Sequence, residues 1–259
     1  MTEEIAIPHE LPRGADVTGK RVVITGASRG LGRLLAHAFS RAGASVALVA
    51  RTDAALKTVT DELAGRSVAL SGDVTDADFN ERVADVVVAE WGGVDVWICN
   101  AGISPMVGGP RETDPAQWRE VLDVNLTGAF LGARAAARVM GEGGRIIFTG
   151  SVLGERPREG LAAYSASKAG LVAMAKALAL DLAPAGITVN VVALGWFDSP
   201  LAQAWKSNPT LSERVLGHTA QQRWGHATDL AGAYQFLASE ASGFVTGAVL
   251  NVDGGYLLV

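Results

Sequence analysis

Several features are scarce in this chain of 259 residues, and each scarcity closes off a class of protein. There is one cysteine, Cys99, so no intramolecular disulfide can form and a disulfide-stapled secreted scaffold is excluded. Basic residues are outnumbered, 22 Lys+Arg against 27 Asp+Glu for a formal charge of -5, which disfavours bulk binding to nucleic acid or an anionic membrane and leaves open only a local basic pocket. Apolar runs are cut by Asp, Lys, Arg, Gly or Pro before they reach spanning length, so no transmembrane anchor is expected. The first ten residues, MTEEIAIPHE, are acidic where a secretory signal would be basic and then apolar, and a cytoplasmic location is expected. The four histidines, His9, His37, His218 and His226, show no ligand spacing, and no metal site is expected.

What remains is 49% hydrophobic, with 31 glycines that follow no collagen-like period. That composition suits a soluble globular chain with a sizeable core, read as one domain over residues 1–259 with a polar lead over 1–19. β-Branched runs mark strands at Arg21–Thr25, Ser45–Ala50, Ser67–Leu70, Val94–Cys99, Arg145–Thr149, Thr188–Ala193 and Val249–Val252. Helical periodicity falls between them, at Leu31–Ala42, Asp53–Leu63, Asp76–Trp91, Asp114–Met140, Ala163–Leu182 and Thr228–Leu237. Strands joined by helices run parallel and cross over right-handedly. The predicted architecture is therefore a doubly wound, mostly parallel seven-stranded α/β sheet with helices on both faces, of Rossmann type.

The first strand runs directly into Thr25-Gly26-Ala27-Ser28-Arg29-Gly30-Leu31-Gly32 and then an amphipathic helix. A turn of this kind aims backbone N–H groups and the positive helix end at a phosphate, where a Cβ would obstruct the approach. At the end of the second strand, where an NAD site carries an acid for the ribose 2'-hydroxyl, the chain reads Val49-Ala50-Arg51-Thr52. With Arg29 in the glycine loop, Arg51 offers a second guanidinium for a 2'-phosphate, so NADP(H) is the expected cofactor. Asp73 in Ser71-Gly72-Asp73-Val74 is placed to meet the adenine edge, and Asn100-Ala101-Gly102 to line the adenine ribose, although both are also ordinary turn sequences.

Ser151 closes the fifth strand, and Tyr164 and Lys168 follow with the i, i+4 spacing that puts them on one helical face. A neighbouring ammonium and a cationic nicotinamide would both favour the phenolate, so a lowered Tyr164 pKa is expected and the tyrosine would shuttle the proton that accompanies hydride transfer. Ser151 is placed to hydrogen-bond the substrate oxygen. Asn125, within the long predicted helix, is suited to hold a water or a backbone carbonyl and complete a proton path. Cys99 reads as a small buried hydrophobe. Thr149-Gly150-Ser151-Val152-Leu153 lacks the G-x-S-x-G elbow of a serine hydrolase.

Taken together, Thr-Gly-x-x-x-Gly-x-Gly at 25–32, Asn-Ala-Gly at 100–102, Asn125, Ser151, Tyr-x-x-x-Lys at 164–168 and Val-Asp-Gly-Gly at 252–255 resemble the short-chain dehydrogenase/reductase family over about residues 19–255. The resemblance implies Tyr164 as acid/base, Lys168 as its pKa modulator and ribose ligand, Ser151 as substrate orienter and Asn125 in a proton relay. It also implies a homotetramer built through the two long helices, and cofactor contacts from Phe197 and Ser199. Where the family has Pro-Gly after the sixth strand, this chain has Leu194-Gly195, which frees φ at residue 194 and is expected to loosen the loop.

Substrate-facing loops are expected at Ile103–Thr113, Val152–Gly160 and Trp196–His218. Their cations Arg111, Arg156, Arg158, Lys206 and His218 read equally as an anion site or as solvated charges. The Trp196–Leu201 segment and the tail are similar to those of gluconate and deoxygluconate dehydrogenases, with 3-oxoacyl-carrier-protein reductases nearly as close. A keto sugar acid is the favoured substrate, with a β-ketoacyl thioester or another ketone as alternatives. A non-catalytic NADP(H)-binding regulator is the competing class, and the intact Ser151, Tyr164 and Lys168 set weighs against it. The apolar end Tyr256-Leu257-Leu258-Val259 is expected to be buried, across a subunit interface or within the chain.

Overall fold

β-Branched stretches with both faces covered make strands that alternate side chains into two separate cores. In the computed structural model, which describes residues 15–105 and 108–259, seven strands form one sheet: β1 (Arg21–Thr25), β2 (Ser45–Ala50), β3 (Ser67–Ser71), β4 (Val96–Cys99), β5 (Arg145–Ser151), β6 (Thr188–Leu194) and β7 (Val249–Val252). All pairings are parallel, in the order β3-β2-β1-β4-β5-β6-β7. The order reverses between β1 and β4, and an open α/β sheet binds its ligand in the crevice beyond such a switch point. Of the polar lead, residues 1–14 lie outside the described residues, while Val17 is buried in the core.

The pleat sorts the core residues. Val22 and Ile24 of β1, with Leu48 of β2 and Ile98 of β4, face α1 (Gly30–Arg41) and α9 (Ala227–Ala238), whose Leu34, Phe39, Leu230 and Tyr234 close that side. Val23, Val49, Trp97 and Phe148 face the opposite way, onto α3 (Ala77–Trp91), α5 (Gly128–Val139) and α6 (Ala162–Leu182). Small residues on the last two helices, Ala133, Ala136, Ala175 and Ala179, let them lie close to the sheet. Local signals set the helix ends: the Asp76 carboxylate accepts the Phe79 N–H at 3.1 Å, and Gly92 terminates α3 at φ +81°. Between β2 and β3 runs α2 (Asp53–Glu62).

Two departures from the sequence reading both fall near the cleft. The single helix expected over Asp114–Met140 is two, α4 (Pro115–Leu122) and α5, joined by a π-helical turn over Asp123–Thr127 in which the Gly128 N–H reaches the Asp123 carbonyl. The extra residue in that turn re-aims Asn125 without disturbing the apolar period on either side, so periodicity alone does not show it. Within Trp196–His218, expected as loop, lie the short helices α7 (Gln203–Lys206) and α8 (Pro209–Leu216). Asn208 caps Leu211 N–H at 3.2 Å and Pro209 occupies the first turn of α8, a start signal visible in the sequence. A third cluster, containing Leu161, Tyr164, Trp205, Val215, Trp224 and Tyr256, packs these helices over the carboxyl ends of β5 and β6.

Candidate active site

A cleft of about 620 Å³, inside the range of small-molecule sites, runs along the carboxyl ends of the strands. Its wall includes Gly26, Ser28, Arg29, Gly30, Leu31, Gly32, Arg51, Asp73, Val74, Asn100, Ala101 and Gly102 at one end. Toward the other end stand Ser151, Tyr164, Lys168, Phe197 and Ser199. Every expected site residue except Asn125 lines it.

At the first end the loop after β1 is shaped by glycine. Gly26 has φ +69°, and a Cβ there would come within 2.9 Å of Ala101 Cα. A Cβ on Gly32 would sit 2.1 Å from the Gly26 carbonyl oxygen, so any larger residue must push the loop out of the cleft. Asn100 is spent on this architecture: its Nδ2 donates to Thr25 O at 2.9 Å, and its N–H donates to Thr25 Oγ1 at 2.9 Å. The Ala101 N–H also donates to Thr25 Oγ1, at 3.0 Å, so this turn is tied to the end of β1. The result is a cradle of backbone opening onto α1, which fits the diphosphate of a dinucleotide. Arg29 and Arg51 are exposed at its edge, and no ion pair within 4.0 Å engages either among the described residues. Asp73 accepts the Thr75 N–H at 2.9 Å and its hydroxyl at 2.8 Å, and those bonds, with Arg51 nearby, hold its carboxyl below the usual range.

At the second end the chemistry-bearing groups are buried. Lys168 is 4% exposed and its Nζ donates to Thr149 O at 2.7 Å while standing 5.7 Å from the centre of the Tyr164 ring. The Ser151 hydroxyl lies on the Tyr164 side of the cleft and acts to lower the phenol pKa, and Ser151 Oγ accepts the Leu153 N–H at 3.2 Å. Burial pushes the Tyr164 phenol up, against the lowering effect of Ser151, and pushes the Lys168 ammonium down to about 8. The lowered Tyr164 pKa expected from sequence is thus not a property of the protein alone, because desolvation outweighs what Ser151 supplies.

Asn125 stands behind the cleft, fully buried. Its Oδ1 accepts the Ile103 N–H at 2.8 Å and its Nδ2 donates to Ile103 O at 2.9 Å and to Ser167 Oγ at 3.1 Å. The expected grip on a backbone carbonyl is present, and it ties the loop after β4 to α6. Ser167, whose hydroxyl donates to Tyr164 O at 2.6 Å, was not singled out from sequence, since a serine two turns into a helix carries no signal of its own. Thr149 likewise gains its place only in three dimensions, between Lys168 and the Tyr234 hydroxyl at 2.8 Å. Cys99 is buried with its thiol at 3.4 Å from Ala129 O and its pKa pushed up by burial, as a structural cysteine.

The loop after β6 is firmer than the missing proline suggested. Leu194 pairs with Val252 inside the sheet, Gly195 N–H donates to Val252 O at 2.9 Å, and Phe197 bridges to Gly225. Backbone pairing replaces the ring constraint. The cations expected near the substrate are mostly committed elsewhere. Arg156 donates to Tyr256 O at 2.9 Å and to Val259 O, Arg158 Nε donates to the Tyr256 hydroxyl at 2.7 Å, Lys206 pairs with Asp198, and His218 Nδ1 lies 2.8 Å from Arg214 O. None of them, and not Arg111, lines the cleft. Tyr256 is buried within the chain's own fold, whereas Leu258 and Val259 are exposed.

Among the described residues no helix is long and apolar enough to cross a membrane, and no group of three or more His, Cys, Asp or Glu side chains could hold a metal ion. The family model described as enoyl-(acyl carrier protein) reductase matches residues 26–257. The 3-oxoacyl-[acyl-carrier-protein] reductase of Salmonella typhimurium is 37% identical over 243 residues, covering 93% of this chain and 98% of that protein. A crystal structure of a short-chain type dehydrogenase/reductase from Mycobacterium marinum superposes with TM-score 0.86 at 37% identity, over 93% of this chain and 96% of its own. A candidate NAD(P)-dependent gluconate 5-dehydrogenase from Beutenbergia cavernae, solved with NADP at low occupancy, gives TM-score 0.88 at 36% identity, covering 94% and 99%.

Proposed function

The chain belongs to the short-chain dehydrogenase/reductase family, and from that premise we propose that it is an NADP(H)-dependent oxidoreductase interconverting a ketone and a secondary alcohol. The observation that carries this reading is the continuity of one cleft from the glycine cradle to Ser151, Tyr164 and Lys168. When bound, NADPH supplies the hydride. The chain's own residues supply the rest. The cradle around Gly26 and Gly32 holds the diphosphate, and Arg29 and Arg51 face the 2'-phosphate with Ala50 in place of the acid that would repel it. Phe197, Ser199, Asp73 and Val74 complete the cofactor wall. The NADP in the Beutenbergia relative supports the same preference.

Ser151 and Tyr164 bracket the place of a carbonyl oxygen, and burial keeps the phenol protonated, the state from which Oη can donate to the developing alkoxide. The Lys168 ammonium stabilises the tyrosinate left behind and remains available to a ribose hydroxyl, and Asn125 fixes the loop and helix that carry the pair. Residues 1–259 are read as one NADP(H)-binding domain. A homotetramer is supported by Phe130 on α5 and Leu180 on α6, which are exposed apolar side chains on the two helices expected to pair. The named relatives offer a 3-oxoacyl thioester and a gluconate as substrate types, and the keto sugar acid favoured from sequence draws support from the second.

The test is Tyr164→Phe. Turnover of NADPH with any accepted ketone should fall by about 10²–10⁴-fold while NADPH binding, followed by quenching of tryptophan fluorescence, stays within a factor of about two. Retained turnover would refute the mechanism. NADPH binding by the native protein with no turnover of any ketone offered would favour the regulator reading.

A further inference from the structure

The two ends of the cleft differ in charge. Arg29, Arg51 and Asp73 follow β1, β2 and β3, whereas the lining toward Ser151 and Tyr164 includes Leu153, Leu161, Trp196, Leu201, Ala202 and Trp205 and no cation but Lys168 among the described residues. Trp196 and Trp205 stand with ring centres 4.8 Å apart and planes tilted by 52°, and Trp224 and Tyr256 back Trp196 at 6.0 and 6.4 Å. This is a wall of tilted and edge-on aromatic rings that support one another from the side. Among the described residues the one cation at this end of the cleft is Lys168, already tied to Thr149 O. The loop cations Arg156 and Arg158 bond the C-terminal turn, with guanidiniums 5.4 and 5.5 Å from the centre of the Tyr256 ring, and neither lines the cleft. A substrate carboxylate in this half of the cleft would be desolvated with no cation of the wall to pair it and only the unpartnered Trp196 indole N–H as a neutral donor, whereas apolar rings find contact area and quadrupole partners.

Resting on the oxidoreductase reading, we infer that the substrate is a neutral ketone carrying an aromatic or alicyclic ring system, held against the Trp196–Trp205 wall, and not an anionic sugar acid. The keto sugar acid is thereby replaced as the favoured substrate. Leu201, 52% exposed at the cleft wall, is a position where a charge can be introduced without disturbing the core.

The experiment measures binding by equilibrium dialysis on the full chain with NADP⁺ present, using β-tetralone and a keto-gluconate as probes. β-Tetralone is expected to bind at least about tenfold more tightly. Trp205→Ala should weaken β-tetralone about tenfold and leave the keto-gluconate unchanged, and Leu201→Lys, which keeps the fold, should shift the preference at least about threefold toward the keto-gluconate. Equal or tighter binding of the keto-gluconate, binding of neither probe, or a preference untouched by Leu201→Lys overturns the inference. NADPH oxidation measured in parallel separates the two readings. β-Tetralone bound through Trp205 but never reduced would refute the oxidoreductase assignment and leave the pocket assignment standing. A keto-gluconate reduced with the higher kcat/KM would do the reverse.

Discussion

The cofactor half of the cleft is built from backbone and strand ends, and the substrate half from side chains brought in by loops. Gly26, Gly32 and the Asn100 anchor sit at fixed positions relative to β1 and β4, so the sheet alone determines their geometry. Trp196, Trp205, Trp224 and Tyr256 come from four separate stretches of chain and meet only because α7, α8 and the C-terminal turn fold over β5 and β6. The difference teaches that one half is specified locally and the other by tertiary packing, and each should fail in its own way when altered.

Gly32→Ala should break the first half most severely. With its Cβ 2.1 Å from Gly26 O, the loop must move, and NADPH affinity is expected to fall by about two orders of magnitude while ketone binding at the aromatic wall persists. Fluorescence titration with each ligand checks both statements.

Lys168→Met probes the seam between the halves. Burial lowers Lys168 from 10.5 to about 8. The folded state therefore loses its proton before the unfolded state does, and the penalty for burying the ammonium is fully present below pH 8 and relieved as pH rises toward 10.5. The variant should lose turnover yet exceed the native protein in stability at pH 7 by on the order of 3 kcal/mol, less whatever the lost bond to Thr149 O contributed. That gap should close between pH 8 and 10.5, as read by urea unfolding across that range.

Arg51→Asp sharpens the comparison at the opposite end, since it alters charge and leaves the cradle intact. NADPH affinity should fall about 10–100-fold and NADH affinity should rise, with no change in ketone preference. Parallel titrations with the two cofactors decide it, and an unchanged preference would place the 2'-phosphate elsewhere. The smallest effect is expected from Arg156→Ala, which releases the Tyr256 carbonyl and one face of its ring. KM for a ring-bearing ketone should rise a few-fold, by about 1 kcal/mol, and NADPH affinity should not move.

The same division governs what the sequence made legible. The strands and the residues on their carboxyl ends were readable because period-two runs and glycine spacing are local, and the cleft gathers Gly26, Arg51, Asn100, Ser151, Tyr164 and Lys168 as that reading expected. The π turn at Asp123–Thr127 was not readable, because Asn125 is set there by bonds to Ile103 and Ser167 that no periodicity encodes. The loop cations were misleading for the same reason. Arg156 and Arg158 are about a hundred residues from Tyr256 in sequence, and their commitment to it appears only in the folded chain. The burial that raises the Tyr164 phenol in the protein alone was also not readable, since spacing shows the neighbouring ammonium and not the degree of desolvation.

The measurement that bears most directly on the central claim is the rate of NADPH oxidation by the native protein with β-tetralone, with NADH in parallel. The account predicts turnover with NADPH favoured by at least about tenfold over NADH. Turnover with NADH favoured, or none with either cofactor while both bind, would contradict it.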